Sequence, residues 1–172
     1  MKNRFGWFYV SSWLLLLAGC AGAPTPAPSD TQQPVEGAII EAVPKSAMSE
    51  NRAVIALLDR AQTDNESGQR EAAGASLERA LRIEPRNPWL WLELAQVRLG
   101  QGQYAQAITL ARKSNSFAGR QLRVQTENWQ VIGKARVAQG DMAGAEQAFK
   151  LSAELAQQAK TEADRGSVFN FQ

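Results

Sequence analysis

The chain contains no histidine. That absence removes Ser-His-Asp and Cys-His catalysis, imidazole general bases and histidine metal sites together. It contains one cysteine, Cys20. A single cysteine forms no internal disulfide, and a lone thiol in an exported chain calls for an explanation. Charge of one sign is also lacking. The 19 basic and 17 acidic residues give +2, but Lys2 and Arg4 carry the whole excess, leaving 17 of each sign from residue 20 onward. A balanced chain gives no electrostatic reason for a nucleic-acid partner or a polybasic membrane contact. No glycine-rich phosphate loop, clustered metal ligands or paired carboxylates stand out along the 172 residues. These absences point away from an enzyme, a metal and a diffusible cofactor.

What is present divides the chain in two. Met1 to Arg4 is a short positive segment, and Phe5 to Leu17 is apolar apart from Gly6, Ser11 and Ser12. Small residues follow at Ala18 and Gly19, immediately before Cys20. A positive start, an apolar middle and a small-residue site have the form of a signal peptide over residues 1–19. The apolar run is shorter than the roughly 20 residues a spanning helix requires.

Leu17-Ala18-Gly19-Cys20 resembles the lipobox of bacterial lipoproteins. The resemblance implies that the Cys20 sulfur receives a diacylglyceryl group, that cleavage precedes Cys20, and that its new amino group is acylated. Two or three acyl chains anchor firmly, each buried CH₂ contributing roughly 0.8 kcal/mol. The covalent lipid on Cys20 is then the only prosthetic group expected. Ala21, rather than aspartate, follows the cysteine. In a Gram-negative host the resemblance therefore implies the outer membrane, with the chain facing the periplasm.

Residues 20–48 hold five of the seven prolines (Pro24, Pro26, Pro28, Pro34, Pro44) and read as an extended, lipid-attached tether. Ala38-Ile39-Ile40 is a brief apolar patch inside it, read either as tether or as a docking segment.

From residue 49 to about 165 the composition is helical throughout, with apolar residues at helical spacing. Asn87-Pro88 supplies a cap residue followed by proline at the first helical position, and Ser49 is the expected cap of the first long helix. Self-comparison shows a period. Ala61, Gly68, Ala73, Leu77 and Ala80 recur 34 residues on as Ala95, Gly102, Ala107, Ala111 and Ser114. A third copy, Gly133, Gly140, Ala145, Phe149 and Ser152, follows at an offset of 38.

These residues resemble the tetratricopeptide repeat, two antiparallel helices per unit. In the second copy Trp91, Leu94, Ala95, Gly102, Tyr104 and Ala107 occupy signature places; in the third, Trp129, Ile132, Gly133, Gly140, Met142, Ala145 and Phe149 do. The first copy has Leu57 in place of the tryptophan but ends with Ala73, Leu77, Ala80 and Pro85. Arg98 and Arg136 depart from the usual aromatic, and Gly119 stands where proline is expected. The resemblance implies an all-α solenoid of three repeats, at about 54–87, 88–121 and 126–159, followed by a tail at 166–172. The four extra residues place the start of the third repeat's first helix near Arg120.

Such arrays use the inner face of each repeat's first helix, helix A, to hold peptides or helices. Carried over, that face comprises Gln62 and Asn65, then Trp89, Leu92, Glu93 and Gln96, then Gln130, Lys134 and Val137. Trp89 reads equally as a binding anchor or as packing against the preceding repeat. Lys134 alone does not make a carboxylate clamp. Arg112, Lys113, Arg120 and Arg123 form either an anionic docking patch or a solvated face, and Val168, Phe169 and Phe171 either fold back, make a contact or hang free. The expected function is a membrane-anchored adaptor for envelope proteins or peptides, in assembly of an envelope machine or control of cell-wall enzymes. The alternative is a structural subunit of a fixed complex or homo-oligomer.

Overall fold

The computed structural model describes residues 44–169; Cys20, Ala38-Ile39-Ile40 and Phe171 lie outside that range. Every element there is helical: α1 (Lys45–Met48), α2 (Arg52–Glu66), α3 (Arg70–Ile83), α4 (Pro88–Gly100), α5 (Tyr104–Ala118), α6 (Leu122–Ala138) and α7 (Met142–Phe169). Three helical hairpins, α2–α3, α4–α5 and α6–α7, follow the repeat, and α4 packs on α6 as well as on α5. Among the described residues no helix is long and apolar enough to cross a membrane.

Each hairpin turns on a glycine. Gly68, Gly102 and Gly140 have φ of 77°, 75° and 79°, a left-handed conformation that costs other L-residues roughly 1–2 kcal/mol. The residue after each glycine donates its backbone N–H back across the turn: Gln69 to Asp64 O at 2.7 Å, Gln103 to Arg98 O at 2.9 Å, Asp141 to Arg136 O at 2.9 Å. Those bonds satisfy carbonyls that the helix end leaves open. Gly119, where proline was expected, also has positive φ (54°) and closes α5.

The core forms two clusters. Val54, Leu58, Ala61, Leu77, Leu81, Leu90 and Leu94 join the first repeat to the second. Trp89, Leu92, Ala107, Ala111, Val124, Val131 and Ile132 join the second to the third. Helix α4 contributes to both, which is why its sequence is apolar around nearly its whole circumference. The small signature residues permit close approach: a Cβ on Gly133 would lie 2.5 Å from the Phe149 ring.

A second device recurs with the repeat. Ser114 Oγ donates to Pro88 O at 2.8 Å, and Ser152 Oγ donates to Thr126 O at 3.0 Å, so each ties a hairpin's second helix to its first. Asn128, fully buried, donates through Nδ2 to Ser114 Oγ at 2.7 Å and to Asn115 Oδ1 at 2.9 Å. Buried polar groups that find partners in this way fix one register between neighbouring helices.

Three local expectations change. Asn51, rather than Ser49, caps α2, its side chain accepting from Ala53 N at 2.9 Å. Ser49 is instead buried, where Oγ donates to Glu84 at 2.7 Å and accepts from Asn51 N. Lys45–Met48, read as the end of the tether, form a helical turn against the repeats. The first helix of the third repeat begins at Leu122, two residues after the expected start. The last helix continues through Val168 and Phe169.

Candidate protein-binding face

Helices α2, α4 and α6 are the first helices of the three hairpins, and the nine expected contact residues lie on them. Five are exposed: Gln62, Asn65, Gln96, Lys134 and Val137. Glu93 and Gln130 are half-buried. The last two, Trp89 and Leu92, are interior. Trp89 is 9% exposed and Leu92 0%, both inside the cluster that joins the second and third repeats. Of the two readings of Trp89, packing is therefore what the structure displays. Asn87 caps the helix just before it, accepting from Trp89 N at 3.0 Å, and so fixes where the indole enters the core.

Val137 stands apart from the others. It lines an open apolar depression of about 530 Å³ with Met142, Ala145 and Phe149 of α7, edged by Glu146 and Lys150. The signature tryptophans Trp91 and Trp129 are half-buried against the two clusters, and Trp91 Nε1 donates to Pro85 O at 2.9 Å.

The two arginines that replace aromatics are used as polar packing. Arg98 bonds Gln101 at 2.8 Å and Glu78 at 2.5 Å, lying over Gly74. Arg136 donates to Gly144 O at 2.7 Å and sits 3.6 Å from Asp141. In the basic cluster, Lys113 and, from the preceding loop, Arg86 lie over the Phe117 ring, 4.8 and 5.9 Å from its centroid.

One feature of this face was missed in the sequence. Asp59, Glu93 and Glu127 recur at intervals of 34 residues, one on each of α2, α4 and α6. Burial pushes the Glu93 carboxyl from 4.5 up to about 7; the Glu127 carboxylate adds to the rise, and the Lys45 ammonium opposes it. Lys45 itself pairs with Asp59, while Glu127 pairs with Arg123 at 3.2 Å. The period was visible in the chain, but the third acid falls a turn early in its repeat and so escapes an alignment on the glycines. Among the described residues no group of three or more His, Cys, Asp or Glu side chains is placed to hold a metal.

Residues 65–123 match the family model for the tetratricopeptide repeat. Among solved structures, the globular C-terminal domain of P. aeruginosa LpoP is 45% identical, with a TM-score of 0.59; the match covers 60% of this chain and 97% of that one. The N-terminal domain of C. elegans stress-induced protein-1 is 20% identical, with a TM-score of 0.54, over 63% of this chain and 93% of that one. MamA is also 20% identical, with a TM-score of 0.56, over 67% of this chain and 65% of its own, and these two speak for the fold alone. No curated protein matches the chain in sequence.

Proposed function

Because the chain belongs to the family of the LpoP globular C-terminal domain, a tetratricopeptide-repeat fold, we propose that it is an envelope lipoprotein that holds another protein on the face of α2, α4 and α6. One observation carries the reading. The repeats spend their apolar residues, Trp89 and Leu92 included, on joining one hairpin to the next, and leave Gln62, Asn65, Gln96 and Lys134 exposed on the first helices. An array so built offers a shaped polar surface and no reacting group. The lipid on Cys20 places that surface at the outer membrane, facing the periplasm, and the proline-rich segment gives it reach. A protein of this kind acts by deciding which partner stays nearby, in assembly of an envelope machine or control of cell-wall enzymes.

A second reading, a subunit of a fixed complex, draws on the apolar depression at Val137, Met142 and Phe149, where Met142 is 63% exposed. Light scattering from the full-length chain in detergent separates the two. A single copy per particle supports the adaptor, and a tight oligomer of fixed stoichiometry supports the subunit. Anchoring is tested separately. Cells fed radioactive palmitate should label the wild-type chain and place it in the outer-membrane fraction, whereas Cys20→Ser should lose the label and leave the membrane. Equal label in both would overturn the lipid assignment.

A further inference from the structure

Helix α1 is held across the first two repeats by more than its length requires. Met48 packs against both core clusters. Its backbone carbonyl accepts from Asn87 Nδ2 at 2.7 Å, and neighbouring Ser49 bonds Glu84 at 2.7 Å. From that fixed end the turn leads back to Lys45, whose ammonium meets Asp59 on α2 and acts on Glu93 of α4. Asp59 and Glu93 hold the same place in consecutive repeats, 34 residues apart, so one cation serves two equivalent positions.

The pairing is incomplete. Asp59 takes the ion pair, while Glu93 is largely withdrawn from solvent and receives no hydrogen bond from any described residue. Glu127 of α6 adds negative potential from the other side. A buried carboxylate without a donor is a costly arrangement in a stable fold, and a cation with several N–H donors relieves it. Lys45 supplies part of that relief from within the chain.

We propose that the face formed by Asp59, Glu93 and Glu127 is a receptor for a lysine or arginine side chain on an extended or helical segment of the partner, and that Lys45 on α1 holds the place in the free chain. The inference rests on the adaptor reading and gives the chemistry of its ligand. Arginine suits the site well, because its fork reaches two carboxylates at once. An intramolecular occupant competes at an effective concentration in the millimolar range, so a partner gains access only by displacing α1 or by offering more cationic contacts.

The test uses the full-length chain in detergent and an acetylated peptide spanning residues 41–50, titrated by calorimetry. Lys45→Glu turns the internal cation into a fourth acid and frees the face. The peptide should then bind at least tenfold more tightly than to the wild type. Adding Asp59→Asn and Glu93→Gln to that variant should remove the gain. A peptide with arginine in place of its lysine should bind at least as well, and one with glutamate there should not bind. Neither substitution on α2 or α4 removes a core side chain, and circular dichroism checks that the helices persist. Equal affinity for wild type and Lys45→Glu, or a gain that survives the Asp59→Asn and Glu93→Gln changes, overturns the proposal while a monomeric chain leaves the adaptor reading in place. A fixed oligomer overturns the adaptor reading, and the peptide titration still reports on the acidic face.

Discussion

Leu92→Ala is expected to lower the unfolding free energy by about 2–5 kcal/mol, the range for emptying a fully buried leucine site. Leu92 is 0% exposed and lies with Trp89, Ala95, Val124 and Ile132 in the cluster that joins the second and third repeats. In an array of hairpins each unit is stabilised by the next, so a cavity at this junction weakens both neighbours. Gln96→Ala, one turn along the same helix at an exposed position, should change stability by no more than about 0.5 kcal/mol. Urea unfolding of the two variants measures the contrast. If Leu92→Ala melts like Gln96→Ala, the side chain is on the surface and the helix register is wrong.

The second large effect concerns Glu93. Its carboxyl is raised from 4.5 to about 7 in the fold, chiefly by burial and then by Glu127. A carboxyl with a raised folded pKa binds its proton more tightly folded than unfolded. It therefore favours the folded state below about pH 4.5, and that contribution is lost as pH rises through about 7. Above pH 7 the buried charge is a net penalty, on the order of 1–3 kcal/mol for a shift of this size in a half-buried group. Glu93→Gln keeps the shape and removes the charge. The variant should melt higher than wild type at pH 8, and the gap should close toward pH 4.5. Denaturant midpoints between those pH values check this. A gap that stays constant with pH would show that Glu93 does not titrate with folding.

The repeat was legible because its backbone demands are strict. A left-handed turn at Gly68, Gly102 and Gly140 and a close approach at Gly133 leave few residue choices, so they survive as a period in the chain. What each surface position faces is governed more loosely. Leu92 and Trp89 sit one helical step from true surface residues, and the order of residues does not reveal that α4 is covered on two sides. A signal was there: Leu90, Trp91, Leu92, Leu94, Ala95 and Val97 surround the helix, the mark of a central element rather than a one-faced one.

Capping at Asn51 instead of Ser49 was equally open, since both side chains cap well and the choice turned on Glu84, 35 residues away from Ser49. Helix α1 was hidden by its company. Lys45–Met48 follows Pro44 at the end of a proline-rich stretch, and only contacts with Asp59 and Asn87 give it a place. The acidic row needed no structure to be counted. It needed the fold to show that positions 59, 93 and 127 belong to three neighbouring helices.

The claim on which the rest depends is that the face of α2, α4 and α6 holds a protein in the envelope. In-cell crosslinking from a photoreactive residue at exposed Gln96 on α4, with exposed Thr109 on α5 as the comparison, tests it most directly. A discrete envelope protein, identified by mass spectrometry, should be captured from Gln96 and not from Thr109. Crosslinks from Gln96 to this chain alone, or the same capture from both positions, would contradict the account.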